Sequence, residues 1–129
     1  MNSDQVVEYK GVRIVVQRAT ARIGTKRSVL SYRGAEQAAQ DPEEVAVLRT
    51  ITYPDLTAPV REASGTIELE AGRSVDFSSW PVSFEDFCEL PDDLIWAWEK
   101  TVYDVNPHWS PSAQIQAEAE KKIERSTDA

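Results

Sequence analysis

From residue 5 to residue 17 the chain reads Gln-Val-Val-Glu-Tyr-Lys-Gly-Val-Arg-Ile-Val-Val-Gln, two β-branched runs that meet at Lys10-Gly11. Alternating runs on either side of a turn-forming pair predict two short antiparallel strands joined by a tight hairpin. From Ala19 to about Ala39 small and long-chain residues favour a helix, which Gly24 and Gly34 weaken and threaten to break. Asp41-Pro-Glu-Glu44 predicts the next helix start: Asp41 can accept free amide hydrogens, Pro42 suits the first helical position, and Glu44 completes a capping box. Val45, Leu48 and Ile51 then form a core-facing stripe. Pro54 and Pro59 restrict the backbone, so residues 53–60 are expected as a broken helix or ordered turn rather than one long helix. Thr66–Glu70 and Ser74–Phe77 alternate around Ala71-Gly72, which predicts a second hairpin or an extended excursion.

The second half is more helical. Ser83 can cap a short helix over Phe84–Glu89, whose acidic first turn complements the helix dipole. Pro91 starts another, with Asp92 and Asp93 in its first turn, and this one ends at Val105 before Asn106-Pro107. Ser110-Pro111 opens a last helix to about Arg125. Its stripe of Ile115, Ala119 and Ile123 is thin for a core element, so edge packing or fraying is expected. The pattern predicts an α+β fold, mainly α-helical with a small N-terminal antiparallel β-hairpin packed against three or four helices. Residues 1–110 form a single globular domain and 111–129 a C-terminal helix or tail.

Composition supports a packed core: of 129 residues, 41% are hydrophobic and 28% charged. No apolar run reaches the length of a signal peptide or a membrane span, so a cytoplasmic protein is expected. Cys88 has no second cysteine to pair with and falls among Phe84, Phe87 and Leu90, as a core thiol would. Charge is segregated, with net +4 over residues 1–40, −11 over 41–110 and −1 over 111–129. An acidic body repels phosphate backbones and argues against nucleic acid as a partner. In the first helix Arg18, Arg22, Lys26 and Arg33 fall within about 80° of one another, a solvated basic stripe. The asymmetry suits head-to-tail self-association or an electrostatically steered protein partner.

Catalytic chemistry has thin support. There is one His and one Cys, and His108 sits beside Trp109, where a structural imidazole is the simpler reading. No phosphate-binding loop, dinucleotide fingerprint or calcium-loop spacing occurs, so no cofactor or metal is expected and a non-enzyme is inferred. The informative feature is the Pro91 helix. With Leu94 at 0°, Ile95, Trp98, Val102 and Val105 fall within about 100° of it and make a broad core face. Trp96 and Tyr103 fall near 200° and 180°, on the opposite side. Either the helix is central and covered on both sides, or Trp96 and Tyr103 are partner-binding residues, since large aromatics with a polar atom are enriched at interface anchors.

Trp80-Pro-Val-Ser-Phe-Glu-Asp-Phe87, Leu90-Pro-Asp-Asp-Leu94, Trp98 and Val105-Asn-Pro-His-Trp109 resemble the carboxyl-terminal part of tail assembly chaperones of long-tailed bacteriophages. Val7-Glu-Tyr-Lys-Gly-Val-Arg-Ile14 and Tyr53-Pro-Asp-Leu56 extend the likeness over residues 5–60 and 80–109. The resemblance implies a non-catalytic protein of the host cytoplasm that coats the helical, hydrophobic tape measure protein until tail tube protein assembles around it. Two other readings remain open. One is a small virion structural protein, a head–tail connector or tail-completion protein, that self-associates into a ring. The other is an acidic regulatory or inhibitory protein that mimics nucleic acid.

Overall fold

The computed structural model describes residues 4–111 and Ala119. The expected helix from Ser110-Pro111 to about Arg125 lies, apart from its first two residues and Ala119, outside them. The architecture is α+β, an N-terminal antiparallel hairpin followed by helices. Strands β1 (Gln5–Tyr9) and β2 (Val12–Val16) pair with Val7 opposite Ile14. At the turn Lys10 has φ 44° and Gly11 φ 87°. Two successive left-handed residues match the twist of the flanking strands, which is why the Lys-Gly pair is a legible signal.

Strand β3 (Val60–Ser64) pairs with β2 on its other side and completes a sheet in the order β1-β2-β3. Its sequence does not announce it, because Val-Arg-Glu-Ala-Ser carries one large apolar residue. At Gly65, φ is +97° and a Cβ would run into the backbone of Gly11 and Val12, so only glycine lets the chain turn hard against the first hairpin. The second hairpin follows as expected, β4 (Thr66–Glu68) against β5 (Ser74–Asp76), with Ile67 and Val75 opposite each other and both buried.

Helix α1 (Ala21–Ala38) runs unbroken through both glycines, its first turn capped by the Thr20 side chain accepting from the Ile23 amide. Gly34 is its one buried residue, and a Cβ there would stand 2.5 Å from the Arg49 carbonyl oxygen. A residue that weakens the helix locally therefore permits two helical backbones to touch. Helix α2 (Glu43–Val47), a π-helical turn (Leu48–Thr52) and α3 (Tyr53–Thr57) follow one another without a gap. The expected break at Pro54 does not occur. In the widened turn the Tyr53 amide donates to the Leu48 carbonyl. Pro54 has no amide to offer the Thr50 carbonyl, which instead accepts from the Ser31 hydroxyl of α1 at 2.7 Å. The capping box also fails: the cap position is Pro42, and Asp41 accepts from Arg49 Nε at 2.7 Å instead.

Helix α4 (Phe84–Cys88) is capped by Ser83, whose side chain accepts from the Asp86 amide. Helix α5 (Asp92–Val105) lies against β1 and β2 on one side and α3 on another. Its Leu94, Trp98, Val102 and Val105 are buried, as the core face requires. Trp98 is the centre of the core, ringed by Phe77, Trp80 and Phe87. Cys88 is half-buried, and burial pushes its thiol up from the usual range. No helix among the described residues is long and apolar enough to cross a membrane.

Candidate functional site

The π turn and Pro54 together turn α3 so that Pro54, Asp55, Leu56 and Thr57 are all buried. Asp55 is 3% exposed, and a carboxylate so enclosed needs donors. It has two. Arg27 Nε from α1 donates to Oδ1 at 2.6 Å, and the Tyr103 hydroxyl from α5 donates to Oδ2 at 2.7 Å. The Arg27 guanidinium also lies 4.5 Å from the centre of the Trp109 ring. One carboxylate thus ties α1, α3 and α5 together beside Trp109.

Above this clasp, between α1 and the π turn, lies an open groove of about 400 Å³. Arg27, Asp55 and Trp109 line it together with Tyr32 of α1 and Ile51 of the π turn. Tyr32 is 76% exposed and Ile51 50%. Val47, one turn before Ile51, is also exposed and lines a neighbouring shallow depression with Leu48. The periodicity of Val45, Leu48 and Ile51 points all three at the core, but Ile51 does not face it. The π turn advances the helix surface by one extra residue, which carries Ile51 outward while it turns Asp55 in.

The two aromatic residues on the far side of the Pro91 helix part company. Trp96 is 67% exposed. Tyr103 is half-buried, packed on the core and bound to Asp55. The predicted arc is the same for both, yet α3 covers the Tyr103 end of it and leaves the Trp96 end open. Arg27 and Asp55, which form the clasp, carry no sequence signal. Asp55 is one carboxylate among many in an acidic segment, and Arg27 lies off the basic stripe. The stripe itself is exposed at Arg18, Arg22, Lys26 and Arg33. His108 is exposed beside Trp109, its ring 5.9 Å from the indole. Among the described residues no three His, Cys, Asp or Glu side chains are grouped to hold a metal ion.

Burial, and then the hydrogen bond to Asp55, hold the Tyr103 phenol above its usual pKa. Burial, with the nearby Glu85 charge, does the same to Tyr53, whose hydroxyl donates to the Val82 carbonyl at 2.6 Å. In the unfolded chain both phenols ionise near pH 10, while in the folded protein they keep their protons. The folded state then binds more protons, so stability is fully present below about pH 10 and falls as pH rises further. Urea midpoints measured from about pH 9 to about pH 12 are expected to decline. Tyr103→Phe removes one of the two groups, and a decline just as steep in that variant would exclude Tyr103 as a cause.

Comparison with protein-family models, with curated proteins and with solved structures returns no match for this chain.

Proposed function

We propose that this protein acts by binding, holding an apolar helical segment of another protein in the groove between α1 and the π turn. The observation that carries the reading is the pair of large side chains, Tyr32 of α1 and Ile51 of the π turn, left exposed in the lining of one open groove. Surface residues at Val47 and Ile51, four apart, extend the apolar strip by a turn. An amphipathic helix laid along such a groove would bury these side chains and satisfy its own backbone, the common mode of helix-in-groove recognition. A host-cytoplasmic tail assembly chaperone that coats the helical, hydrophobic tape measure protein needs a surface of this kind, and the resemblance of residues 5–60 and 80–109 to that family supports the tape measure protein as the partner. The groove, rather than Tyr103, is then the contact surface, with Trp96 a second contact on α5.

Tyr32→Ala with Ile51→Asp tests this. Both positions are exposed, so the melting temperature should stay within about 2 °C of the parent. Co-purification of co-expressed tape measure protein should be lost. Trp96→Ala, made separately, should weaken capture without abolishing it. Full capture by the groove variant would sink the groove reading, and loss in Trp96→Ala alone would move the contact to α5.

A further inference from the structure

Most basic side chains among the described residues have a partner within the chain. Arg13, Arg27, Arg49, Arg61, Arg73 and Lys100 make ion pairs. Arg18 donates to the Val105 carbonyl, and Lys10 lies over the Tyr9 ring. Arg22, Lys26 and Arg33 stand apart: all three are exposed and none makes an ion pair among the described residues. With Val29, which is also exposed, they occupy positions i, i+4, i+7 and i+11 of α1. At 100° per residue they span an arc of about 60° and at 1.5 Å per residue a length of about 16 Å. Gly34, where α1 packs on the backbone of Arg49, lies about 110° around the helix from the middle of this stripe, and Arg33 at the end of the stripe lines a small pocket with Gly34, Arg49 and Phe84. Charge that no described carboxylate neutralises, held on one helical strip, is not needed by the fold of the described residues.

A matching surface of the opposite sign exists elsewhere. The second hairpin and the junction of α4 with α5 enclose a recess of about 400 Å³, lined by Glu68, Glu70 and Glu89 together with Leu69 and Pro91. Arg73 also lines it, but is taken by Asp86 at 3.5 Å. Among the described residues no ion pair connects the stripe to the recess.

We propose that the α1 stripe of one copy docks on the glutamate recess of a second copy of this chain. Arg22, Lys26 and Arg33 supply three positive charges to three carboxylates, and Val29 meets the apolar side of the recess at Leu69 and Pro91. Stripe and recess are different surfaces, so the contact is heterologous: a bound pair leaves one stripe and one recess free at its two ends. Such a contact propagates into an open row or closes into a ring. It uses neither Tyr32 nor Ile51, so the groove stays available in every copy. The interacting groups are exposed and the Debye length falls from about 30 Å at 0.01 M salt to about 3 Å at 1 M, so association is strong in dilute buffer and lost in concentrated salt.

The test is sedimentation velocity on the full chain, with two charge-reversed variants: R22E/K26E/R33E and E68K/E70K/E89K. In the parent, weight-average mass should rise with protein concentration at about 0.01 M salt and return to that of the monomer near 1 M. Each variant alone faces like charge with like and should lose self-association by at least about tenfold. An equimolar mixture of the two restores both pairings, and association should return. A parent that is monomeric in dilute salt, a variant that associates undiminished, or a mixture that stays monomeric overturns the proposal. So does a stripe that binds a short oligonucleotide while the parent stays monomeric, because the charge then serves a phosphate ligand. Circular dichroism of both variants confirms that they are folded before either loss is read.

Discussion

Replacing Trp98 with alanine is expected to cost about 4 kcal/mol of folding stability and to lower the melting temperature by about 15 °C. The indole is wholly buried, with the rings of Phe77, Trp80 and Phe87 at centroid distances of 6.1, 6.2 and 5.7 Å. Removing it leaves a cavity bounded by rigid rings that cannot collapse into it, which is the costly case for a large-to-small change. A second substitution separates packing from polarity. The Trp98 Nε1 hydrogen is buried with no hydrogen-bond partner among the described residues, and an orphaned buried donor costs about 1–3 kcal/mol. Trp98→Phe loses part of the packed volume and also removes the orphan, so the two changes offset and the net loss should be about 1 kcal/mol. Thermal and urea unfolding of the three proteins check this. Equal losses in the two variants would mean that the indole nitrogen is stabilised, for example by the face of a neighbouring ring.

The burial of Trp98 is legible in the periodicity of its helix, and the elements whose signals are local are legible in the same way. Lys10-Gly11 specifies its turn through backbone preference alone. Pro91 and the first-turn aspartates mark the start of α5, and Asn106-Pro107 its end, because capping and proline geometry act within a few residues. Sequence and structure diverge where a distant group overrides a local rule. Gly34 lowers helix propensity, but its benefit is the contact with the Arg49 backbone, which no window along α1 contains. Pro54 follows a widened π turn, and the carbonyl it leaves without a donor is paired by Ser31, far off in sequence. The strand β3 has too little apolar alternation to stand out and exists because β2 offers it an edge. Asp41 has the chemistry of a cap, yet the pull of Arg49 exceeds that of the free helix amides.

The candidate site divides along the same line. Trp96 and Tyr103 share a side of α5, and periodicity places them there. Whether that side is open depends on α3, whose position depends in turn on the π turn. Tyr32 and Ile51 carry no signal for the same reason: local rules weaken α1 at its glycines and break the next helix at Pro54, and a groove needs two continuous helices to form its walls. Coverage by neighbouring elements describes the Tyr103 end of the α5 face, and an open binding face describes only the Trp96 end.

Asp55→Ala is expected to cost about 3 kcal/mol, a fall in melting temperature of about 10 °C. The loss comes less from the missing attraction than from what stays behind. Arg27 is left as a largely buried guanidinium with no carboxylate, and the Tyr103 hydroxyl as a part-buried donor without its acceptor. Asp55→Asn keeps the shape but offers one acceptor oxygen to two donors and turns an amide hydrogen toward the other, so it should fall between alanine and the parent. Removing all three partners at once, as Asp55→Leu with Arg27→Met and Tyr103→Phe, leaves nothing unpaired and should recover most of the loss. The same series bears on binding, because Arg27 and Asp55 line the groove together with Tyr32 and Ile51. If the clasp only holds the fold, the triple variant regains capture of a helical partner along with its stability. If the clasp sets the spacing of α1 from the π turn, the triple variant regains stability while capture stays weak, since three unconnected apolar side chains fill the space without fixing the helices at one separation. Melting temperature and co-purification measured on the same preparations distinguish the two.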